Sequence, residues 1–171
     1  MDKTQIGKKK LHISVIIFVV IIVLLIGLLL TYVFLKPEKS GVGDIYFGML
    51  GFVLELKEGK PDSKEDLEYG VVRIYEDENC FGRNCDVTYL NVLGVQEISL
   101  QYENADKELY REIFEQLYGV YQKRDHFFEK EEKVEGDDYS IRFGTDDGAG
   151  GITVDMTLKA DVLTVRMISQ H

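Results

Sequence analysis

One apolar segment constrains this chain more than any other feature of its sequence. Residues 11–35 read LHISVIIFVVIIVLLIGLLLTYVFL, and Ser14 carries the only polar side chain between Ile13 and Leu30. A helical run of about 18 such residues is long enough to cross a bilayer core about 30 Å thick. In lipid a helix satisfies its own backbone hydrogen bonds, which outweighs the strand preference of the many β-branched residues. The sequence therefore predicts a transmembrane helix over 11–35.

A cleavable signal peptide is the alternative interpretation of this segment. Such a peptide has an apolar core of about 7–15 residues that ends in a small-x-small cleavage site. Here the core is longer, and residues 28–35, LLLTYVFL, contain no such site. The segment is therefore interpreted as an uncleaved signal anchor, which makes the lipid bilayer the first predicted partner.

The lysines beside the segment predict its orientation. Four lysines precede it, three of them at 8–10, whereas Lys36 and Lys39 follow it. Cytoplasmic flanks of transmembrane helices are enriched in Lys and Arg. The sequence therefore predicts a single-pass cell-membrane protein. Its predicted parts are a cytoplasmic N-terminus over 1–10, the transmembrane helix over 11–35, a linker over 36–44 and an extracytoplasmic domain over 45–171.

The predicted domain is strongly acidic. Residues 41–171 hold 14 Lys and Arg against 28 Asp and Glu, a formal charge of −14, whereas the whole chain carries −10. A domain of this charge repels phosphate backbones. The sequence therefore predicts no nucleic-acid partner.

Most of the domain has the composition of β-strands, which are rich in β-branched and aromatic residues. The predicted strands cover 45–56 with a bend, 70–76, 86–94, 98–102, 139–143, 152–159 and 162–169, and charged loops cover 57–68 and 129–138. Ala160 and Asp161 form a two-residue connection between the last two strands. That connection fixes a register in which Asp155 is opposite Arg166 and apolar residues pair on the other face.

One stretch has helical periodicity instead. Apolar residues at spacings of three and four predict an amphipathic helix over 104–124, with Asn104 as its N-cap. The predicted fold class is therefore α+β: a single N-terminal transmembrane helix, then a small exported domain with an antiparallel sheet and one amphipathic helix.

Cys80 and Cys85 are the sharpest local feature of the domain. The predicted strands on either side place them at the mouth of a hairpin, and an exported domain favours oxidation. The sequence therefore predicts a structural disulfide between them, with free thiols or a catalytic role as the alternatives. The chain has no third cysteine to complete a zinc site.

Two other features are weak candidates for chemistry. The loop over 145–151, TDDGAGG, has adjacent carboxylates, but it lacks the oxygen spacing and terminal Glu of a calcium loop. His126 follows the predicted helix beside Asp125, without a recognised nucleophile motif. The sequence therefore predicts no catalytic residue, no cofactor and no metal site.

Tyr110 and Tyr118 are the candidate interface residues, because helical spacing places them beside the apolar stripe and tyrosine is favoured at interfaces. A place in the core is the alternative for both. The resulting hypothesis is a membrane-anchored extracytoplasmic binding or assembly module. It would be an accessory subunit of a cell-envelope complex that contacts a protein partner at the outer membrane face. The alternative is an envelope-facing hydrolase that uses carboxylates and His126.

Overall fold

The computed structural model describes residues 17–27, 38–130 and 132–170. The chain divides into two units, Met1–Lys36 and Pro37–His171. In the first unit the described residues form one helix, α1, over 17–27. The rest of the predicted transmembrane segment, 11–16 and 28–35, lies outside the described residues. Among the residues that are described, no helix combines the length and the apolar composition that a membrane crossing requires.

The second unit contains two helices and eleven strands in its described residues. In chain order they are β1 (Glu38–Lys39), β2 (Tyr46–Phe47), α2 (Gly51–Glu58), β3 (Ser63–Leu67), β4 (Gly70–Cys80), β5 (Arg83–Asn91), β6 (Val95–Tyr102), α3 (Lys107–Tyr121), β7 (Phe127–Glu129), β8 (Lys133–Glu135), β9 (Asp138–Asp146), β10 (Gly151–Lys159) and β11 (Val162–Ser169).

Nine of these strands form one antiparallel sheet. Its order is β3-β4-β5-β6-β11-β10-β9-β7, with β8 also paired to β9, and β1 pairs separately with β2. Strands β3 to β6 form one meander and β9 to β11 form another, and α3 connects the two before β11 closes against β6. The predicted α+β class with an antiparallel sheet is confirmed for this unit.

One face of the sheet is buried and the other is open. The buried face carries alternate residues of each strand, in registered rows such as Tyr89, Ile98, Met167, Val154 and Phe143. Helix α3 packs on this face through four buried side chains, those of Tyr110, Ile113, Leu117 and Tyr121. The predicted helix is therefore confirmed. Ile113, Leu117 and Tyr121 of its apolar stripe are buried as expected, whereas Val120 is exposed and Tyr110 is buried in its place.

The helix begins two residues later than its sequence pattern predicts. Asp106 is the N-cap, and its carboxylate accepts a 2.8 Å hydrogen bond from the backbone N–H of Leu109. Asn104 instead has a left-handed φ of 51° in the turn before it. The predicted cap at Asn104 is therefore wrong. Asn104 forms part of the turn before the helix, and the carboxylate of Asp106 caps the helix.

The C-terminal hairpin has the predicted register. Asp155 lies opposite Arg166, and apolar partners face each other on the buried side. Ala160 and Asp161 have φ of 48° and 61°, the left-handed pair of a two-residue hairpin turn. Asp155 nevertheless makes its hydrogen bonds with Arg142 of β9, on its other side.

Three predicted segments are different in the structure. The strand predicted over 45–56 is wrong beyond β2, because the chain turns at Gly48, with φ of 80°, and forms α2. Residues that are apolar on both strand faces are equally compatible with a helix. The loop predicted over 57–68 contains β3, and the loop predicted over 129–138 contains β8 and the end of β7.

The linker predicted over 36–44 is shorter than expected. Glu38 and Lys39 pair with β2, and Ser40 and Val42 are buried. The Tyr121 hydroxyl donates a 2.6 Å hydrogen bond to the Ser40 carbonyl, which ties this segment to the end of α3. Residues 38–44 therefore belong to the second unit rather than to a connection between units.

Candidate functional site

The open face of the sheet carries an ordered set of polar side chains on β9, β10 and β11. Two neighbouring rows cross these strands, one of Arg166, Asp155 and Arg142 and one of Thr164, Thr157 and Ser140. These residues alternate along each strand with core residues, so the two-residue period places them all on the open face.

Two ion pairs hold the arginines of this face in place. Arg166 pairs with Glu97 through both ends of its guanidinium, at 2.6 and 2.8 Å, and Arg142 pairs in the same way with Asp155. These hydrogen bonds raise the pKa of Arg142 and of Arg166, so both guanidiniums stay charged. Both side chains remain about half exposed, at 49% and 51%. Their remaining N–H donors are therefore available to a partner.

Two lysines extend the set at the edge of the sheet. Lys133 lies opposite Ser140 in the β8–β9 pairing, and the backbone N–H of Lys130 donates to the Arg142 carbonyl at 2.8 Å. Both lysines are exposed.

Together these side chains line a shallow depression of about 520 Å³, which we call the basic depression. It is lined by Lys130, Lys133, Ser140, Ile141, Arg142, Asp155, Met156, Thr157, Thr164 and Arg166. Among the described residues, the lining contains four basic side chains, those of Lys130, Lys133, Arg142 and Arg166, and one acidic side chain, that of Asp155. Asp155 and Glu97 offset the charges of the two arginines, so the excess positive charge of the lining comes from Lys130 and Lys133. Cations and hydroxyls arranged in this way suit carboxylates and other anionic groups.

The cysteine pair lies at the far end of the β4–β5 hairpin. Cys80 pairs with Arg83 and Cys85 pairs with Glu78, so both thiols project from the same face of the hairpin. Both are free thiols in the structure; Cys85 is buried and Cys80 is half-buried. Their mutual hydrogen bond lowers the pKa of Cys85 and raises that of Cys80. The predicted hairpin placement is confirmed, and the disulfide stays a prediction.

A second, smaller depression of about 180 Å³ lies beside Cys80. Two of its lining residues are Glu58 at the end of α2 and Glu78 of β4. Burial, and secondly the charge of Glu78, raises the pKa of Glu58. A thiol and a carboxyl of raised pKa therefore line the same depression.

His126 lies elsewhere, at the connection between α3 and β7. It has a left-handed φ of 57°, and its carbonyl accepts a 3.0 Å hydrogen bond from the Asp146 N–H. Strand β9, which ends at Asp146, is five strand-to-strand steps from the β4 strand that carries Glu78, or roughly 24 Å along the sheet. The structure therefore separates His126 from Glu58 and Glu78. It places His126 in the lining of another depression, of about 270 Å³, together with Glu38, Asp125 and Asp147.

The acidic loop over 145–151 uses its carboxylates to stabilise its own turn. Asp146 accepts a hydrogen bond from the Gly148 N–H at 2.8 Å, and Asp147 accepts from Ala149 and Gly150 at 2.9 Å. Within the described ranges, no group of three or more His, Cys, Asp or Glu side chains is arranged to hold a metal ion.

The two candidate interface tyrosines pack inward. Tyr110 is 1% exposed and contacts the ring of Tyr139, and burial raises its pKa. Tyr118 is half-buried among aromatic rings, including that of Phe127, and its hydroxyl donates to Glu129 at 2.8 Å. Tyr110 therefore belongs to the core rather than to a surface, and Tyr118 offers only part of its ring.

No protein-family model matches this chain, and no curated protein or solved structure is similar enough to count as a match. The interpretation of the site therefore depends on its own geometry and charge.

Proposed function

We propose that this protein is a single-pass membrane protein whose extracytoplasmic domain binds another protein of the cell envelope, as an accessory or assembly subunit. The observation that carries the proposal is the basic depression on the open face of the sheet. We propose that the partner presents an acidic peptide segment to it.

The proposed anchor is supported by sequence. Residues 11–35 are long and apolar enough to span a bilayer, and the lysines at 8–10 favour a cytoplasmic N-terminus. An anchored domain meets its partners in the plane of the membrane, where a modest affinity is sufficient because the effective concentration is high.

The proposed binding mode follows from the chemistry of the lining. A guanidinium has five N–H donors, and the pair with Asp155 uses two of those on Arg142. The exposed Lys130 and Lys133 supply two further positive charges. The rest of the domain repels an acidic segment, so the depression is the position where such a segment is attracted. Complementary charge of this kind sets position and specificity more than affinity.

A site-specific crosslinking experiment in cells tests this function. A photo-crosslinking residue at Thr157, in the floor of the depression, is introduced into the full-length protein, and the adducts are identified by mass spectrometry. In the same protein, Lys130→Glu/Lys133→Glu reverses two charges of the lining. We expect a discrete protein adduct that the double substitution abolishes and that rising salt weakens.

The matched control is Lys60→Glu/Lys123→Glu, which makes the same charge change at two exposed lysines outside the depression. It is expected to leave the adduct in place. If the two double variants reduce the adduct equally, or if no adduct forms at Thr157, the depression is not the binding site.

A further inference from the structure

The exposed apolar side chains of the second unit gather mainly at one end of its sheet. Five of them, which we call the apolar rim, are Leu50, Phe52, Tyr69, Val92 and Leu93. Leu93 is 81% exposed, and Phe52 and Tyr69 are about 65% exposed. Large side chains at this exposure are ordinary when scattered, but a contiguous group marks a surface that contacts something.

The rim is contiguous because three separate corners of the fold meet there. The Met49 carbonyl, next to Leu50, accepts hydrogen bonds from the Val95 N–H at 2.8 Å and from the Asn91 amide at 3.4 Å. These contacts join the β2–α2 corner to the β5–β6 turn. A Cβ on Gly70 would lie 2.5 Å from the Asn91 carbonyl oxygen, so the β3–β4 turn touches the same place.

The apolar rim also contains no charged side chain, whereas charged side chains are frequent in the rest of the domain. The segments 48–54 (GMLGFVL), 69–70 (YG) and 92–95 (VLGV) contain no Asp, Glu, Lys or Arg, although 29% of the chain is charged. The rim itself therefore adds no repulsion at an anionic lipid surface, whereas Glu68 and the loop with Asp146 and Asp147 carry the negative charge at the same end of the sheet.

The chain enters the domain at the same end. Glu38 pairs with Phe47, which is one residue before Gly48, and Gly48 lies directly against Gly94 of the β5–β6 turn. Three residue-to-residue steps, each of at most about 3.6 Å, lead from Leu35, where the predicted membrane span ends, to Glu38. The domain therefore begins within about 11 Å of the end of that span.

We infer that the apolar rim inserts into the interfacial layer of the same membrane that holds the proposed anchor. This inference rests on the anchor of the proposed function. Phe and Tyr side chains are favoured at the boundary between headgroups and hydrocarbon, and leucines beside them bury further apolar area. The anchor and the rim then form two attachments, so the domain is fixed against the membrane with a defined orientation.

Tryptophan fluorescence tests the inference, since the chain contains no Trp. Three single-Trp variants of the full-length protein, Leu93→Trp, Glu103→Trp and Val23→Trp, are reconstituted into phosphatidylcholine vesicles with or without brominated acyl chains. Glu103 is exposed in the connection after β6, at the opposite end of the sheet from the rim, and Val23 lies within the proposed span. Leu93→Trp and Val23→Trp are expected to lose most of their emission in brominated vesicles, and Glu103→Trp is expected to keep it.

The outcomes separate the inference from the function on which it rests. If Val23→Trp is quenched but Leu93→Trp is not, the anchor stands and the inserted rim is overturned. If Val23→Trp is not quenched, the anchor itself is overturned. Emission from Leu93→Trp that is shifted to shorter wavelength, but unquenched and dependent on protein concentration, would show that a second copy covers the rim instead of lipid.

Discussion

At the scale of single residues, Glu58 is a carboxyl whose surroundings disfavour its charged form. Its carboxyl lies in the small depression beside Glu78, where burial and the neighbouring charge raise its pKa above the usual 4.5. A carboxyl whose pKa is raised by folding binds more protons in the native state than in the unfolded state. Its ionisation therefore lowers stability as pH rises through the folded pKa.

Glu58→Gln is accordingly expected to raise the melting temperature at pH 7. The gain should shrink as pH falls towards 4.5 and vanish below it, because the wild-type carboxyl is then protonated in both the native and the unfolded state. Thermal melts of the full-length protein at several pH values measure this. Glu115→Gln, which makes the same charge change on an exposed face of α3, is the control. Equal effects of the two substitutions at every pH would contradict the account.

The cysteine pair also belongs to the residue scale. The hydrogen bond with Cys80 lowers the pKa of Cys85, and two neighbouring thiols form a disulfide in an oxidising compartment. In protein purified from the outer face of the membrane without reductant, mass analysis should find residues 80 and 85 two hydrogens lighter than the dithiol.

The disulfide closes a loop of only six residues, so its contribution to stability is modest, at most about 2–3 kcal/mol. Cys80→Ser/Cys85→Ser should therefore fold, with a lower melting temperature than the oxidised wild type. A protein that is fully reduced after isolation, or a double variant that does not fold, would show that the role assigned to the pair is wrong.

At the scale of elements, the sequence predicts those whose apolar period is regular. The β10–β11 register follows from a two-residue turn and from chemistry that agrees on both faces, and α3 follows from its apolar stripe. Helix α2 is not predictable in this way. Only Leu54 among its residues is buried, and its other apolar residues do not recur at the spacing of a helix. Strand β3, SKEDL, is an edge strand, and its charged residues led to the prediction of a loop. Charges on an edge strand are favourable because they prevent it from pairing with other chains.

The start of α3 gives a prediction at this scale. Asp106→Ala removes the carboxylate that accepts the Leu109 N–H, and it should lower the free energy of unfolding by about 1 kcal/mol. Asn104→Gly should be nearly neutral, because Asn104 has a left-handed φ of 51° that glycine adopts without strain. Chemical denaturation measures both variants. If Asn104→Gly lowered the free energy of unfolding more than Asp106→Ala does, Asn104 rather than Asp106 would be the N-cap.

At the scale of the whole molecule, the proposed function depends on a contrast between an acidic domain and a basic depression. The sequence predicts the negative charge of the domain but not the depression. Arg142 and Arg166 come from β9 and β11, and the two lysines come from the charged segment 129–138, which is predicted to be a loop. The alternation of polar and apolar residues along each strand indicates that Ser140, Thr157 and Thr164 lie on an open face. That they are neighbours follows only from the order of the strands in the sheet. For the same reason, the sequence leaves both a surface and a core position open for Tyr110, and the structure places it in the core.

The most direct test of the central claim, an anchored domain outside the cell membrane, is protease accessibility. The full-length protein carries one tag at its N-terminus and another at its C-terminus, and protease is added to intact cells or spheroplasts. The lysine distribution around 11–35 predicts that the C-terminal tag and the domain are digested while the N-terminal tag, on a membrane-protected fragment, survives. Protection of the domain together with loss of the N-terminal tag would reverse the orientation. Survival of both tags until the membrane is lysed would also contradict the account.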